Sequence, residues 1–278
     1  MAYRTDLAVE IKNDLEEENG LEKSVQKKHG ISIISIKIKT KKTAKKLQKP
    51  IGNYITLQHR AILEPQNLEY AENILAQQLE RFVGNKKNIL FVGLGNREIT
   101  SDSLGPLVAN KIVVTRHLDE ELKEIFGFKD IKTVSAICPG VFGRTGMEST
   151  EIVKSCCIIT KPDLVIAVDS LAAGSVFRLG TTIQLTDTGI CPGSGVCNKR
   201  KELSHGVLGV DVLAIGVPTV VDMKNINKKK KESIKENMTL TPKNIDQIVK
   251  RSANLIANSL NRALFPTIKK EELKAFYD

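Results

Sequence analysis

The chain has 278 residues, a formal net charge of +10, no tryptophan and only 4% aromatic residues. That length supports a sizeable core, which Ile, Leu and Val must supply, and no apolar run reaches the about 20 residues that span a bilayer. An opening that already carries Arg4, Asp6 and Glu10 does not read as a signal peptide, so the expectation is a cytoplasmic protein with no membrane partner.

Residues 1–30 are charged and helix-like. From Ile31 to Lys39 apolar and polar residues alternate, the period of a half-buried strand. A short helix over Lys41–Gln48, a turn at Pro50–Asn53 and a returning strand at Tyr54–Gln58 complete a small strand pair ahead of the main sheet. Leu68, Ala71, Leu75, Leu79 and Phe82 fall at helical spacing. Ile89–Val92 is then a continuous apolar run, as in a parallel strand covered on both faces. A helix is expected from Ser103 to Leu118, strands at Ile131–Ile137, Leu164–Val168, Thr181–Leu185 and Val212–Ile215, and a helix over Gly146–Ile159. Thr241 and Pro242 read as the N-cap and first residue of a closing helix. Strands alternating with helices predict an α/β fold: a mainly parallel, twisted sheet with helices on both faces. The expected organisation is a propeptide at 1–6 and a single domain at 7–278, with a β subregion at 31–58 and a surface loop at 224–238.

Five cysteines, Cys138, Cys156, Cys157, Cys191 and Cys197, are odd in number and irregular in spacing. They fit neither a disulfide framework nor a C-x-x-C zinc pair, and read as small, mostly buried thiols. Two lysine runs, one from Lys37 to Lys49 and one at Lys228–Lys231, read as solvated surface. With only Tyr54 nearby as a stacking residue, a nucleic-acid groove is not expected.

Ligands of open parallel sheets bind beyond the carboxyl ends of the strands, here after Val92, Ile137, Val168, Leu185 and Ile215. Asp169 directly ends one strand, and Asp102 follows another through a glycine-containing loop. Asp102 also suits a helix N-cap and Asp169 a structural acid bonded to loop amides. If the two strands are neighbours, both carboxylates face one cleft. Paired carboxylates hold one proton between them, so one can activate water while the other donates to a peptide carbonyl or leaving amine. Such hydrolysis uses no cofactor and no metal. Competing motifs are incomplete. Gly93-Leu94-Gly95 has Glu98 where a dinucleotide fingerprint needs its third glycine, and a Walker lysine, H-E-x-x-H and G-x-S-x-G are absent. Asp187-Thr188-Gly189 spells the triplet of all-β aspartic proteases and reads here as a turn.

Several segments, taken together and in order, are similar to the spore germination protease family. They are Leu94-Gly95-Asn96, Asp102–Pro106, Cys138–Val141, Thr145–Glu148, Lys161–Ala172, Asp187–Ile190, Pro192–Gly195, Asn198–Glu202 and Gly216–Asp222, flanked by Arg4–Val9 and Asn254–Asn258. The resemblance implies an endopeptidase that degrades small acid-soluble spore proteins in the spore core. It implies a fold like that of hydrogenase-maturation endopeptidases, assembly as a homotetramer and synthesis as a self-trimming zymogen. The family's paired aspartates fall on Asp102 and Asp169, and Gly95, Asn96, Glu148 and Asp187 lie in its active-site loops. Its preference for cutting after an acid and before an apolar residue selects the Asp6–Leu7 bond for self-cleavage. At least one of Arg144, Lys199 and Arg200 is expected to bind the substrate acid. Two alternatives keep weight: a metal-assisted endopeptidase of the hydrogenase-maturation type, and a basic nucleic-acid-binding protein. The chain is shorter around Asn225–Asn237 than the family pattern, and Cys156, Cys157 and Cys191 stand where non-thiol residues are expected.

Overall fold

A computed structural model describes residues 5–10, 20–60, 62–119, 121, 131–193, 201–223, 238–269 and 272–273. Lys199, Arg200, Cys197, Lys228–Lys231 and almost all of the 224–238 loop lie outside the described residues.

The described strands are β1 (Leu21–Lys28), β2 (Ile31–Ile38), β3 (Gly52–Gln58), β4 (Asn88–Gly93), β5 (Thr133–Ile137), β6 (Leu164–Ala173), β7 (Thr182–Thr186), β8 (Asp211–Asp222) and β9 (Thr239–Leu240). They form one sheet in the order β1-β2-β3-β7-β8-β6-β4-β5, with β9 added to β8. The half that contains β8, β6, β4 and β5 is parallel, and β1, β2, β3 and β7 extend it with antiparallel pairings. The expected α/β architecture is present. The N-terminal strands are not a separate pair, however: β3 bonds to β7 and makes them a continuation of the main sheet.

The described α-helices are α1 (Lys41–Leu47), α2 (Pro65–Val83), α3 (Leu104–Ala109), α4 (Phe142–Thr145), α5 (Ser149–Thr160), α6 (His205–Leu208) and α7 (Ile245–Leu264). Side chains alternate across each strand, and the apolar runs of the parallel strands feed both faces. Ile89, Phe91, Ile166, Val168, Leu213 and Ile215 pack against α2, α3 and α7. Leu90, Val92, Val165, Ala167 and Val212 turn the other way, against Val153 of α5.

Three local expectations fail for identifiable reasons. Residues 21–28 are a strand rather than part of a helix. Nearly all their side chains are exposed on both faces, so no period of two is visible, and backbone pairing to β2 holds them. The helix expected to reach Leu118 stops at Ala109. Asn261 of α7, almost fully buried, accepts the Val113 N–H at 3.0 Å and donates to the Lys111 carbonyl at 2.8 Å, taking the place of helical bonds. Thr241 does not cap α7, whose N-cap is Asn244; its hydroxyl instead donates to the Thr219 carbonyl at 2.9 Å. The thiols are also more open than expected: Cys138 and Cys191 are exposed, and Cys156 and Cys157 are half-buried.

Candidate active site

Strands β4 and β6 are direct parallel neighbours, and Gly93 at the end of β4 stands opposite Val168. Strand β6 continues past that point, so Asp169 begins the stretch that β4 no longer covers. The chain leaving β4 is held down on β6 by the Leu94 N–H, which donates to the Val168 carbonyl at 2.8 Å. The first turn of α3 comes to the same spot. A Cβ on Gly105 would lie 2.5 Å from the Val168 oxygen and 2.2 Å from the Leu94 oxygen, so only glycine fits. Asp102, three residues earlier, is thereby brought over the end of β6.

The loop between is equally constrained. Gly95 has φ +108°, and a Cβ there would lie 2.1 Å from the Asp102 carbonyl oxygen. The Asn96 N–H donates to both that carbonyl, at 3.0 Å, and Oδ2 of Asp102, at 2.8 Å. On the far side, β8 carries a bulge. Leu171 pairs with Pro218 and Ala172 with Val220, so Thr219 is the extra residue. Its buried hydroxyl donates at 2.7 Å to the Ser101 carbonyl, the residue before Asp102.

Asp102 and Asp169 line one cavity of about 380 Å³, together with Gly95, Asn96, Val141, Gly143 and Gly193. Asp169 is 4% exposed. Its Oδ1 accepts the Ser170 N–H at 2.8 Å, and the Gly193 amide also bonds to the carboxylate. Burial first, and the facing charge of Asp102 second, hold its carboxyl well above the usual value despite those two amides. A buried acid beside a more exposed one is an arrangement that retains a proton on the buried member.

The other expected site residues separate. Gly95 and Asn96 line the cavity. Glu148 is the N-cap residue of α5, and its carbonyl accepts from Glu151 and Ile152. Arg144 lies on exposed α4 near the rim, 3.3 Å from Glu98. Asp187 does not line the cavity: its Oδ1 accepts the Asn53 N–H at 2.7 Å and its Oδ2 is bonded by the Asn53 side chain. The reason is direction. Strand β7 runs antiparallel to β8, so the residues after Leu185 emerge opposite the amino end of β8, away from the carboxyl ends of β6 and β4.

The N-terminal segment is firmly seated. Asp6 exchanges bonds with Ala172, its N–H donating to the Ala172 carbonyl at 3.0 Å and its Oδ2 accepting the Ala172 N–H at 2.8 Å. Leu7 is fully buried against Leu171, Ala173 and Val221. Lys49 leaves its exposed lysine run to reach this segment, donating to the carbonyls of Thr5 at 3.1 Å and Asp6 at 3.0 Å. Nothing in its own sequence neighbourhood marks Lys49, Gln184 or Thr219 as special; Thr219 lies in a segment already tied to the family resemblance. Among the described residues no group of three or more His, Cys, Asp or Glu is placed to hold a metal ion, and no helix is long and apolar enough to cross a membrane.

A peptidase family model matches residues 3–234 of this chain, and the protein is therefore a peptidase. The matched family is that of germination proteases, and the chain belongs to it. Among curated proteins, the germination protease of Caldanaerobacter subterraneus is 38% identical, with 98% of this chain and 97% of that protein aligned. That of Bacillus cereus is 41% identical over 87% of this chain and 72% of its own length. Among solved structures, the [NiFe] hydrogenase maturation protease HycI of Thermococcus kodakarensis aligns over 66% of this chain and 98% of its own, at 22% identity and a TM-score of 0.36.

Proposed function

We propose that this protein is the endopeptidase that begins the degradation of small acid-soluble spore proteins during germination, using Asp102 and Asp169 as an acid–base pair. The observation that carries the reading is the shared cavity: the two acids line one cleft at the carboxyl ends of adjacent parallel strands, and the charge of one acts on the other. In this reading Asp169 holds the proton and Asp102 is the ionised partner. Asp102 takes a proton from a water, whose oxygen adds to the peptide carbonyl carbon while Asp169 donates to the carbonyl oxygen. The C–N bond then breaks: the departing nitrogen takes the proton that Asp102 gained, and a hydroxyl of the tetrahedral carbon returns a proton to Asp169.

The same chemistry on the chain itself would cut between Asp6 and Leu7 and release residues 1–6. The acid–apolar sequence at that bond supports this, as does the proximity of Asp6, whose charge acts on Asp169. The reading includes a homotetramer in the spore core, as the family resemblance implies, and light scattering on purified protein tests the assembly.

The deciding experiment assays Asp102→Asn and Asp169→Asn on a small acid-soluble spore protein, with folding checked by circular dichroism. Each is expected to lose at least ~10³-fold in kcat; wild-type turnover by either folded variant removes that residue from the mechanism. N-terminal sequencing of aged wild-type protein is expected to begin at Leu7, and any other start rejects the cleavage site.

A further inference from the structure

We infer that the donors now holding Asp6, namely Lys49 Nζ, Gln184 Nε2 and the Ala172 N–H, form the subsite that receives the acidic residue preceding the cut in a substrate, with Lys49 as the specificity-determining cation. The inference rests on the proposed cleavage after acidic residues.

Asp6 is read as an extended peptide would be. Its backbone N–H and its carboxylate both bond to Ala172, at 3.0 and 2.8 Å, and its carbonyl accepts from Lys49 at 3.0 Å and from Gln184 at 3.1 Å. An acid followed by a peptide carbonyl is thus matched group by group.

The position relative to the catalytic pair follows from sheet register. Gln184 pairs with Gly216, and Gly216 pairs with Asp169. Directly paired residues project to the same face, so Gln184 and Asp169 share a face two strand spacings apart, about 10 Å. The residue between them has no side chain, and Leu171 takes the space this leaves: a Cβ on Gly216 would lie 2.4 Å from it. A cavity of about 220 Å³ lined by Asp6, Lys49, Gln184, Leu171 and Gly216 lies beside that side chain. Leu171 also lines the cavity of Asp102 and Asp169, so a single side chain borders both.

Loss of residues 1–6 would change the chemistry of this recess. The Thr5 and Asp6 carbonyls and the Asp6 carboxylate would leave together. Lys49, Gln184 and the Ala172 N–H would remain, joined by the new ammonium at Leu7. Donors left behind when their acceptors depart favour an anion. Of the acids nearby, Glu10 accepts the Gly174 N–H at 2.6 Å and faces Arg178; Glu202 accepts the Ser204 hydroxyl at 2.8 Å and, among the described residues, would be the one carboxylate still lining the recess, against Lys49 and the new ammonium. An acidic side chain of a substrate fits what remains.

The test compares two peptides that differ only in glutamate or glutamine before the cut. They are hydrolysed by self-processed full-chain protein and by Lys49→Met, Lys49→Gln and Lys49→Arg. A folded variant that fails to process itself is trimmed by tagged wild-type enzyme, which is then removed. Wild type is expected to favour glutamate at least tenfold in kcat/KM. In Lys49→Met the ratio is expected to fall to within twofold of one, and Lys49→Arg to restore it. Lys49→Gln, which keeps a donor without the charge, gives the same reading should the methionine variant not fold. A Lys49→Met or Lys49→Gln enzyme with the wild-type ratio overturns the subsite and leaves the proposed function standing. A wild type that does not distinguish the peptides overturns cleavage after acids and the subsite with it.

Discussion

Gly105 stands so close to Val168 that a Cβ would lie 2.5 Å from the Val168 carbonyl oxygen, and this contact sets how the loop bearing Asp102 meets the strand bearing Asp169. Gly105→Ala must push α3 off the end of β6. It is expected to cost about 1–3 kcal/mol of stability and to lower kcat/KM by more than ~10²-fold, because small misplacements of reacting groups are expensive. Urea unfolding and peptide hydrolysis measure the two effects. A variant with full activity would show that this contact does not align the acids.

The buried acid makes stability depend on pH. Burial and the charge of Asp102 raise the Asp169 carboxyl well above its usual value. The folded state therefore holds this proton more tightly than the unfolded chain does. The resulting contribution is fully present below the unfolded pKa of about 4 and is lost as pH rises through the raised folded value. Asp169→Asn is expected to remove this falling limb and to raise Tm at neutral pH while abolishing hydrolysis. Asp102→Asn, by deleting the facing charge, is expected to move the limb to lower pH. Melting curves from pH 4 to 8 on the three proteins check this, and parallel curves would reject it.

Thr219 is the bulged residue of β8, and its hydroxyl holds the Ser101 carbonyl at 2.7 Å. Thr219→Val keeps the shape and removes the donor. The expected cost is about 1 kcal/mol together with about a tenfold fall in kcat, with KM little changed. Thr219→Ser should restore both. A fall in stability without a fall in kcat would make the bond purely structural.

Asp187 lies in a turn motif and was expected in an active-site loop; it binds Asn53 and does not line the cavity of Asp102 and Asp169. Asp187→Ala is expected to destabilise the protein by about 1–2 kcal/mol and to leave kcat within threefold of wild type. Loss of activity in a folded variant would return Asp187 to the site.

Much of the parallel half was legible because fully covered strands are short apolar runs: Ile89–Val92 and Leu164–Val168 sit inside the observed β4 and β6. Asp169 was legible for the same reason, as an acid standing where such a run ends. Strand β1 was not, since its side chains are polar on both faces and only pairing with β2 makes it a strand. Nor was the early end of α3, which depends on an asparagine 148 positions beyond Val113. Lys49 read as one more solvated lysine, because its partners Thr5 and Asp6 come to it only through the folded N-terminus.

The residues alone determined where the covered strands run and that Asp169 stands where one apolar run stops, because burial on a sheet leaves a trace in the chain. They did not determine the direction of β7. Alternating side chains look the same whichever way a strand is threaded, and only pairing to β8 decides it. That one choice sends Asp187 away from the carboxyl ends of β4 and β6. It also sets Gln184 in line with Asp169 across Gly216. Which polar groups share a cleft was therefore decided by register, a property that no single strand contains.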